Sequence, residues 1–179
     1  MLNAIELKEL VKTPAFLAEM ETVFFQAMST GYANNAKKET FADVGKLVDF
    51  TEGPWTVIDG YLKTPLGPRS GGLMAMSYEG VPVWMMQYMG QYSDDAIPCL
   101  KAALRAAYVE KKFFGGRGPE RFVCDGLVYQ NDVDRSYRGD FQGSNFFQGY
   151  EKIQRQGSGP NGAPGEALGW HSYQGMMML

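Results

Sequence analysis

The chain has 179 residues, 45% of them hydrophobic and 21% charged, which excludes a disordered polymer and lets one domain bury a real core without disulfide or metal staples. A net charge of −3 and a pI near 5.2 exclude a general phosphate-binding surface, because nucleic acids are held by several Lys and Arg acting together. Cys99 and Cys124 show no C-x-x-C spacing and no run of about 18 apolar residues occurs, so neither a zinc site, a disulfide framework nor a membrane span is expected.

Thr13-Pro14 reads as a helix start, with Thr13 as N-cap and Pro14 in the first turn. Phe16, Leu17, Met20, Val23, Phe24, Ala27 and Met28 then repeat at helical spacing up to Gly31. Residues 1–13 are expected to form an extension or a short helix. From about Leu47 the period becomes two. A first hairpin is expected to turn at Glu52-Gly53-Pro54, with Trp55 to Lys63 as its second strand and Asp59 alone in an apolar row with Trp55, Val57 and Tyr61. Thr64 to Ser70 reads as a loop. Gly72 to Tyr78 and Val81 to Tyr92 pair around Glu79-Gly80, and the apolar character of both faces of the second strand predicts cover on both sides.

Asp95 is expected to cap a helix carrying Ile97, Leu100, Leu104, Ala107 and Tyr108, with Pro98 in its first turn, ended by Gly115-Gly116. The basic stretch around it, Lys101 and Arg105 through Lys111, Lys112, Arg117 and Arg121, is broken by Glu110 and Glu120 and reads as a solvated helix face. Arg121 to Tyr129, a segment near Tyr137, Phe146 to Arg155 and Ala167 to Met176 are the remaining expected strands, and Gln156 to Gly165 reads as an exposed hairpin loop.

One spacing occurs twice. Gly72-x-Met74-x-Met76-x-x-x-Gly80 and Gly149-x-Glu151-x-Ile153-x-x-x-Gly157 each place a glycine at the opening of a strand and a second where the chain turns back. The expected fold is therefore a single α+β domain, 1–179, with a twisted, mainly antiparallel sheet built from two related hairpins and packed with two main helices.

Ser77-Tyr78-Glu79-Gly80-Val81-Pro82-Val83-Trp84 with Tyr88 and Gly90, and Gly139-Asp140-Phe141 followed by Phe146-Phe147-Gln148-Gly149-Tyr150-Glu151-Lys152-Ile153, resemble an uncharacterised bacterial domain of unknown function. That family occurs alone or behind XRE-type helix-turn-helix domains in regulators. The resemblance runs from about residue 15 onward and implies no activity. It implies carboxylates just after the opening glycine of the first repeat, where this chain has Leu73 and Met74; Glu151 is then the surviving half of any acidic pair.

His171 is the only histidine, so every histidine-dependent mechanism passes through it. If their strands pair, Glu151 and His171 approach each other, and a Glu set among aromatics is expected to have a raised pKa. Asp132-x-Asp134-x-Ser136 fails as a calcium loop, with Tyr137 where a glycine is required and Gly143 where a glutamate is required. Arg69-Ser70-Gly71-Gly72 lacks the Lys-Ser/Thr of a phosphate loop and reads as a hinge between strands. No metal or cofactor is expected.

The leading functional expectation is a cytoplasmic, non-enzymatic domain that binds or senses a small molecule or peptide through Trp84, Tyr88, Tyr150 and Trp170, with Glu151 or His171 as polar anchor. A small hydrolase or isomerase using Glu151 and His171 as an acid/base pair is the second. The third is an assembly module, including a homo-oligomer, docking through a sheet edge or Met176 to Leu179. Nucleic acid and membrane are not expected partners.

Overall fold

The computed structural model describes residues 4–31, 33, 39–41, 45–134, 146–157 and 165–178. Two short meanders of antiparallel strands meet at the centre of one sheet. The first comprises β1 (Glu39–Phe41), β2 (Gly45–Glu52), β3 (Trp55–Lys63), β4 (Arg69–Tyr78) and β5 (Val81–Tyr92); the second comprises β6 (Arg121–Cys124), β7 (Leu127–Val133), β8 (Phe146–Arg155) and β9 (Ala167–Met177). The order across the nine-stranded sheet is β1-β2-β3-β4-β5-β9-β8-β7-β6. The fold is α+β and antiparallel, as expected. The expected strand near Tyr137 and most of the loop from Gln156 to Gly165 lie outside the described residues.

Helices α1 (Ala4–Leu10) and α2 (Pro14–Thr30) precede the first meander, and α3 (Ile97–Val109) joins the two. The Thr13 hydroxyl accepts the Phe16 N–H at 3.3 Å, which caps α2 as its sequence predicts. Buried Phe16, Met20, Val23, Phe24 and Ala27 of α2 and Leu100, Ala103, Leu104 and Ala107 of α3 cover one face of the sheet. Trp55 is fixed there by a tilted ring contact with Phe16 at 5.0 Å and by donating from Nε1 to Glu19 at 2.9 Å. Among the described residues no helix is long and apolar enough to cross a membrane.

Four expectations about elements are corrected. Asp95 does not cap α3: Asp94–Ala96 form a 3-10 turn, and the helix follows Ala96 with no side-chain cap, the Ala96 N–H being bonded to the Ser93 carbonyl at 3.0 Å. The helix also stops at Val109, not at the glycines. Lys111 takes φ +52, Lys112 N–H reaches the Ala107 carbonyl at 3.0 Å and Lys111 N–H the Tyr108 carbonyl at 3.2 Å, a Schellman closure built on a lysine. The run from Arg121 to Tyr129 splits into β6 and β7 at Asp125-Gly126, both at positive φ (48° and 77°), the backbone a two-residue hairpin turn demands. Ser70 and Gly71, expected in a hinge, are inside β4, paired with Gly90 and Met89.

The last correction concerns cover. The second face of β5 carries Met85, Gln87, Met89 and Gln91; Met89 is exposed, and no described helix packs there. Alternation across the sheet thus separates a sealed face from an open one.

On the sealed face one cross-strand row reads Tyr61, Gly72, Tyr88, Tyr173, Gly149, Val133. Tyr88 and Tyr173 each lie over the glycine of the strand beside them and bond to a residue one strand further on: Tyr88 OH donates to Asp59 Oδ1 and Tyr173 OH to Asn131 Oδ1, both at 2.6 Å. A Cβ at Gly72 would stand 2.6 Å from the Tyr88 ring, and one at Gly149 would overlap the Tyr173 ring. We expect Gly72→Ala and Gly149→Ala each to destabilise the protein by about 1–3 kcal/mol, a fall in Tm of about 2–4 °C per kcal/mol by differential scanning calorimetry; an unchanged Tm for both would show that the rings do not need the glycines.

Candidate functional site

The polar interior of the sheet is assembled by a loop. After α3, Gly115 and Gly116 take φ +64 and +72, and the following residues lie across the sealed face of β7, β8 and β9. Asn131 anchors the loop: its Nδ2 donates to the carbonyls of Phe114 at 3.1 Å and Gly118 at 2.7 Å, while its Oδ1 holds Tyr173. The Gly118 N–H donates to Tyr129 OH at 3.0 Å. Those bonds carry Arg117 into the core, where only 6% of it remains accessible.

There the Arg117 guanidinium donates from Nη2 to Glu151 Oε1, and Tyr129 OH donates to Oε2 at 2.5 Å. Glu151 is completely buried. Burial alone would push its carboxyl up from 4.5, but the charge of Arg117 and the hydrogen bonds of His171 and Arg117 outweigh it and bring the pKa down to about 2. The expectation of a raised pKa is therefore overturned. A cation that the basic stretch disguised as a surface residue decides the sign.

Glu151 and His171 are direct partners across β8 and β9, with His171 Nδ1 3.4 Å from Glu151 Oε1 and 3.5 Å from Arg117 Nη2. The carboxylate selects the Nδ1–H tautomer, leaving Nε2 to accept from the Ser70 hydroxyl at 3.4 Å. Burial, joined by the Arg117 charge, lowers the His171 pKa below 6.5 against the pull of Glu151, so the ring is neutral at pH 7. Burial and the neighbouring Glu151 raise the phenols of Tyr129 and Tyr92, and burial and Asp59 raise that of Tyr88. Arg117 also sits over the Tyr88 ring, Cζ 5.3 Å from its centroid, and so joins the Glu151 cluster to the Tyr88–Asp59 pair.

A cavity of about 50 Å³ opens beside this network, between the sheet and the helices. Asp59, Tyr61, Tyr88, Arg117 and His171 form its polar wall; Met28, Met74, Leu100 and Leu104 form the apolar one. Arg117 Nε has no hydrogen-bond partner among the described residues. No group of three metal-ligating side chains occurs among them either.

The residues singled out from sequence divide between the two faces. Tyr88 and His171 line the cavity and Glu151 stands behind His171. Trp84 is packing, stacked on Phe147 at 5.9 Å and edge-on to Phe24 at 5.7 Å. Tyr150 and Trp170 stand on the open face, stacked on each other at 5.8 Å with their planes 20° apart. Met177 packs against the core and Met178 N–H bonds to Val83, so the methionine-rich end largely continues β9; Leu179 lies outside the described residues. Arg117, Asn131 and Tyr129 were missed, and their available signal is an arginine held between glycines, Gly115-Gly116-Arg117-Gly118.

Comparisons with protein-family models, with curated proteins and with solved structures find no match.

Two measurements test this electrostatic arrangement. Glu151→Gln should cost about 3–5 kcal/mol in urea unfolding by stranding a buried guanidinium, and Glu151→Leu combined with Arg117→Met should recover much of that loss; equal stability of single and double variants would show that the pair carries no such cost. In pH, both folded pKa values are depressed, so the unfolded chain binds more protons and acid destabilises. The His171 contribution should be complete above 6.5 and fall below it; that of Glu151 should be complete above 4.5 and drain away towards about 2. His171→Asn should flatten the first phase of the urea midpoint against pH and leave the second.

Proposed function

We propose that the protein is a non-enzymatic domain that binds or senses a small organic molecule, with the cavity under α2 and α3 as the binding site. One observation carries the reading: the buried Asp59, Arg117 and His171 line a single cavity with Glu151 behind His171, and Nε of the buried Arg117 has no hydrogen-bond partner among the described residues. Burying unpaired polar atoms is costly and a buried ion pair adds little net stability. Their concentration in one place is therefore better explained by recognition than by folding. The volume exceeds the roughly 10–15 Å³ a water needs but is below that of a drug-sized pocket. The occupant is small, with a polar end for Arg117, Asp59 and His171 and an apolar end against Met28, Leu100 and Leu104.

The two hairpins, β4–β5 and β8–β9, are related units on this reading, the first giving the site Met74 and Tyr88 and the second His171. The matching sets Gly72, Tyr88, Asp59 and Gly149, Tyr173, Asn131 support that kinship.

A thermal-shift screen of small metabolites tests the proposal. A ligand at 100 times its Kd should add about 2.7 kcal/mol of stability, and Met74→Phe, which fills the cavity, should abolish the shift while the protein still folds. Ligands that stabilise the wild type and Met74→Phe equally would place binding elsewhere.

A second reading, a hydrolase working through Glu151 and His171, rests on the line of Ser70, His171 and Glu151 at 3.4 Å per step. The complete burial of Glu151 and the grip of Arg117 on it weigh against that reading. A fluorophosphonate probe should leave Ser70 unlabelled; labelling lost in His171→Asn would restore the enzyme reading.

A further inference from the structure

We infer that the open face of the sheet is a second, independent site, which takes a neutral saccharide. Alternation sends Gln87 of β5, Gln174 of β9 and Gln148 of β8 to this face as one continuous cross-strand row. The next row holds Met89, Ser172, Tyr150 and Asp132. Together they bound a groove of about 580 Å³. Tyr150 stands at its side, backed by the stacked indole of Trp170. The two rings are 42% and 36% exposed, so the face keeps aromatic surface in water although it has a sealed face to bury it in.

The charges and hydrogen-bonding groups choose the occupant. Asp132 and Asp134 are the charged residues lining the groove and repel anions. Lys152, directly opposite Trp170 on the same face, repels cations from the other side of the stacked pair. Gln148 donates to Asp134 at 3.2 Å, while among the described residues no side chain bonds to the carboxamides of Gln87 and Gln174. A carboxamide both donates and accepts, which suits hydroxyls, whereas ammonium and guanidinium groups call for acceptors alone. A pyranose offers the complementary surface: a ring face of C–H groups to lie on Tyr150 and a rim of hydroxyls to meet Gln87, Gln148, Gln174 and Ser172. The rigid ring and strand-borne carboxamides need little ordering on binding.

Tryptophan fluorescence reads this site selectively, because Trp55 and Trp84 are sealed at 1% and 2% exposure while Trp170 is open. Titration of the whole protein with cello-, chito-, malto- and xylo-oligosaccharides should give a saturable change with at least one series at millimolar concentration or below. Tyr150→Ala, a surface change expected to leave Tm nearly unaltered, should weaken binding about ten-fold or more, and Gln174→Ala should weaken it as well. Met74→Phe should not alter it, which separates this site from the cavity. Absence of a saturable change with all four series, undiminished binding by Tyr150→Ala, or preferential binding of a lysine- and arginine-rich peptide would overturn the inference.

Discussion

The ion pair between Arg117 and Glu151 is the constraint around which the interior is arranged. Both charges are out of water, so protein groups meet the carboxylate oxygens and the guanidinium Nη2, while Arg117 Nε is left without a partner among the described residues. Tyr129 takes the second carboxylate oxygen, His171 faces the first, and Asn131 holds the glycine-rich loop that delivers the guanidinium. The loop must turn through positive φ at Gly115 and Gly116 to reach that position. Remove the cation and the carboxylate at the middle of β8 has no reason to be ionised, nor the loop to enter the core.

The strands were legible where alternation met a turn signal. β3 and β5 fall where the period-two pattern and Gly53 or Gly80 put them, β8 keeps its expected span although Gly149, expected to open a strand, is its fourth residue as Gly72 is of β4, and α2 begins at its Thr-Pro cap. Misreadings arose where backbone chemistry replaced the usual residue. Lys111 closes α3 in a conformation normally given to glycine, so the glycines four residues later looked like the stop. The candidate site was half legible: facing positions on paired strands brought Glu151 to His171, but the electrostatics of both depend on Arg117, whose approach is long-range. Nothing local to a Lys- and Arg-rich segment tells a buried guanidinium from a solvated one. The expected ligand set pooled residues of two faces, since Tyr150 and Glu151 are neighbours in sequence and opposite in space.

The two tyrosines that reach across glycines on the sealed face take chemically different partners, and the difference matters. Tyr88 reaches a carboxylate, Asp59, where Tyr173 reaches a carboxamide, Asn131. The carboxamide can donate as well as accept, and only that chemistry can hold the loop carbonyls of Phe114 and Gly118 while receiving the tyrosine. On the other side no loop needs holding. Asp59 instead leaves a negative wall beside the cavity.

The position of β9 has a consequence for how the sheet comes into being. It follows every other described strand in the chain yet lies at the centre of the sheet, hydrogen-bonded to β5 on one flank and β8 on the other. During synthesis the first meander emerges from the ribosome with its inner border, β5, bare, and that border stays bare until β9, the last strand of the second meander, has been made and pairs with it. The nascent polypeptide is thus vulnerable to strand exchange with a sister molecule at that stage, and a single late closure event fuses the halves and seals the interior.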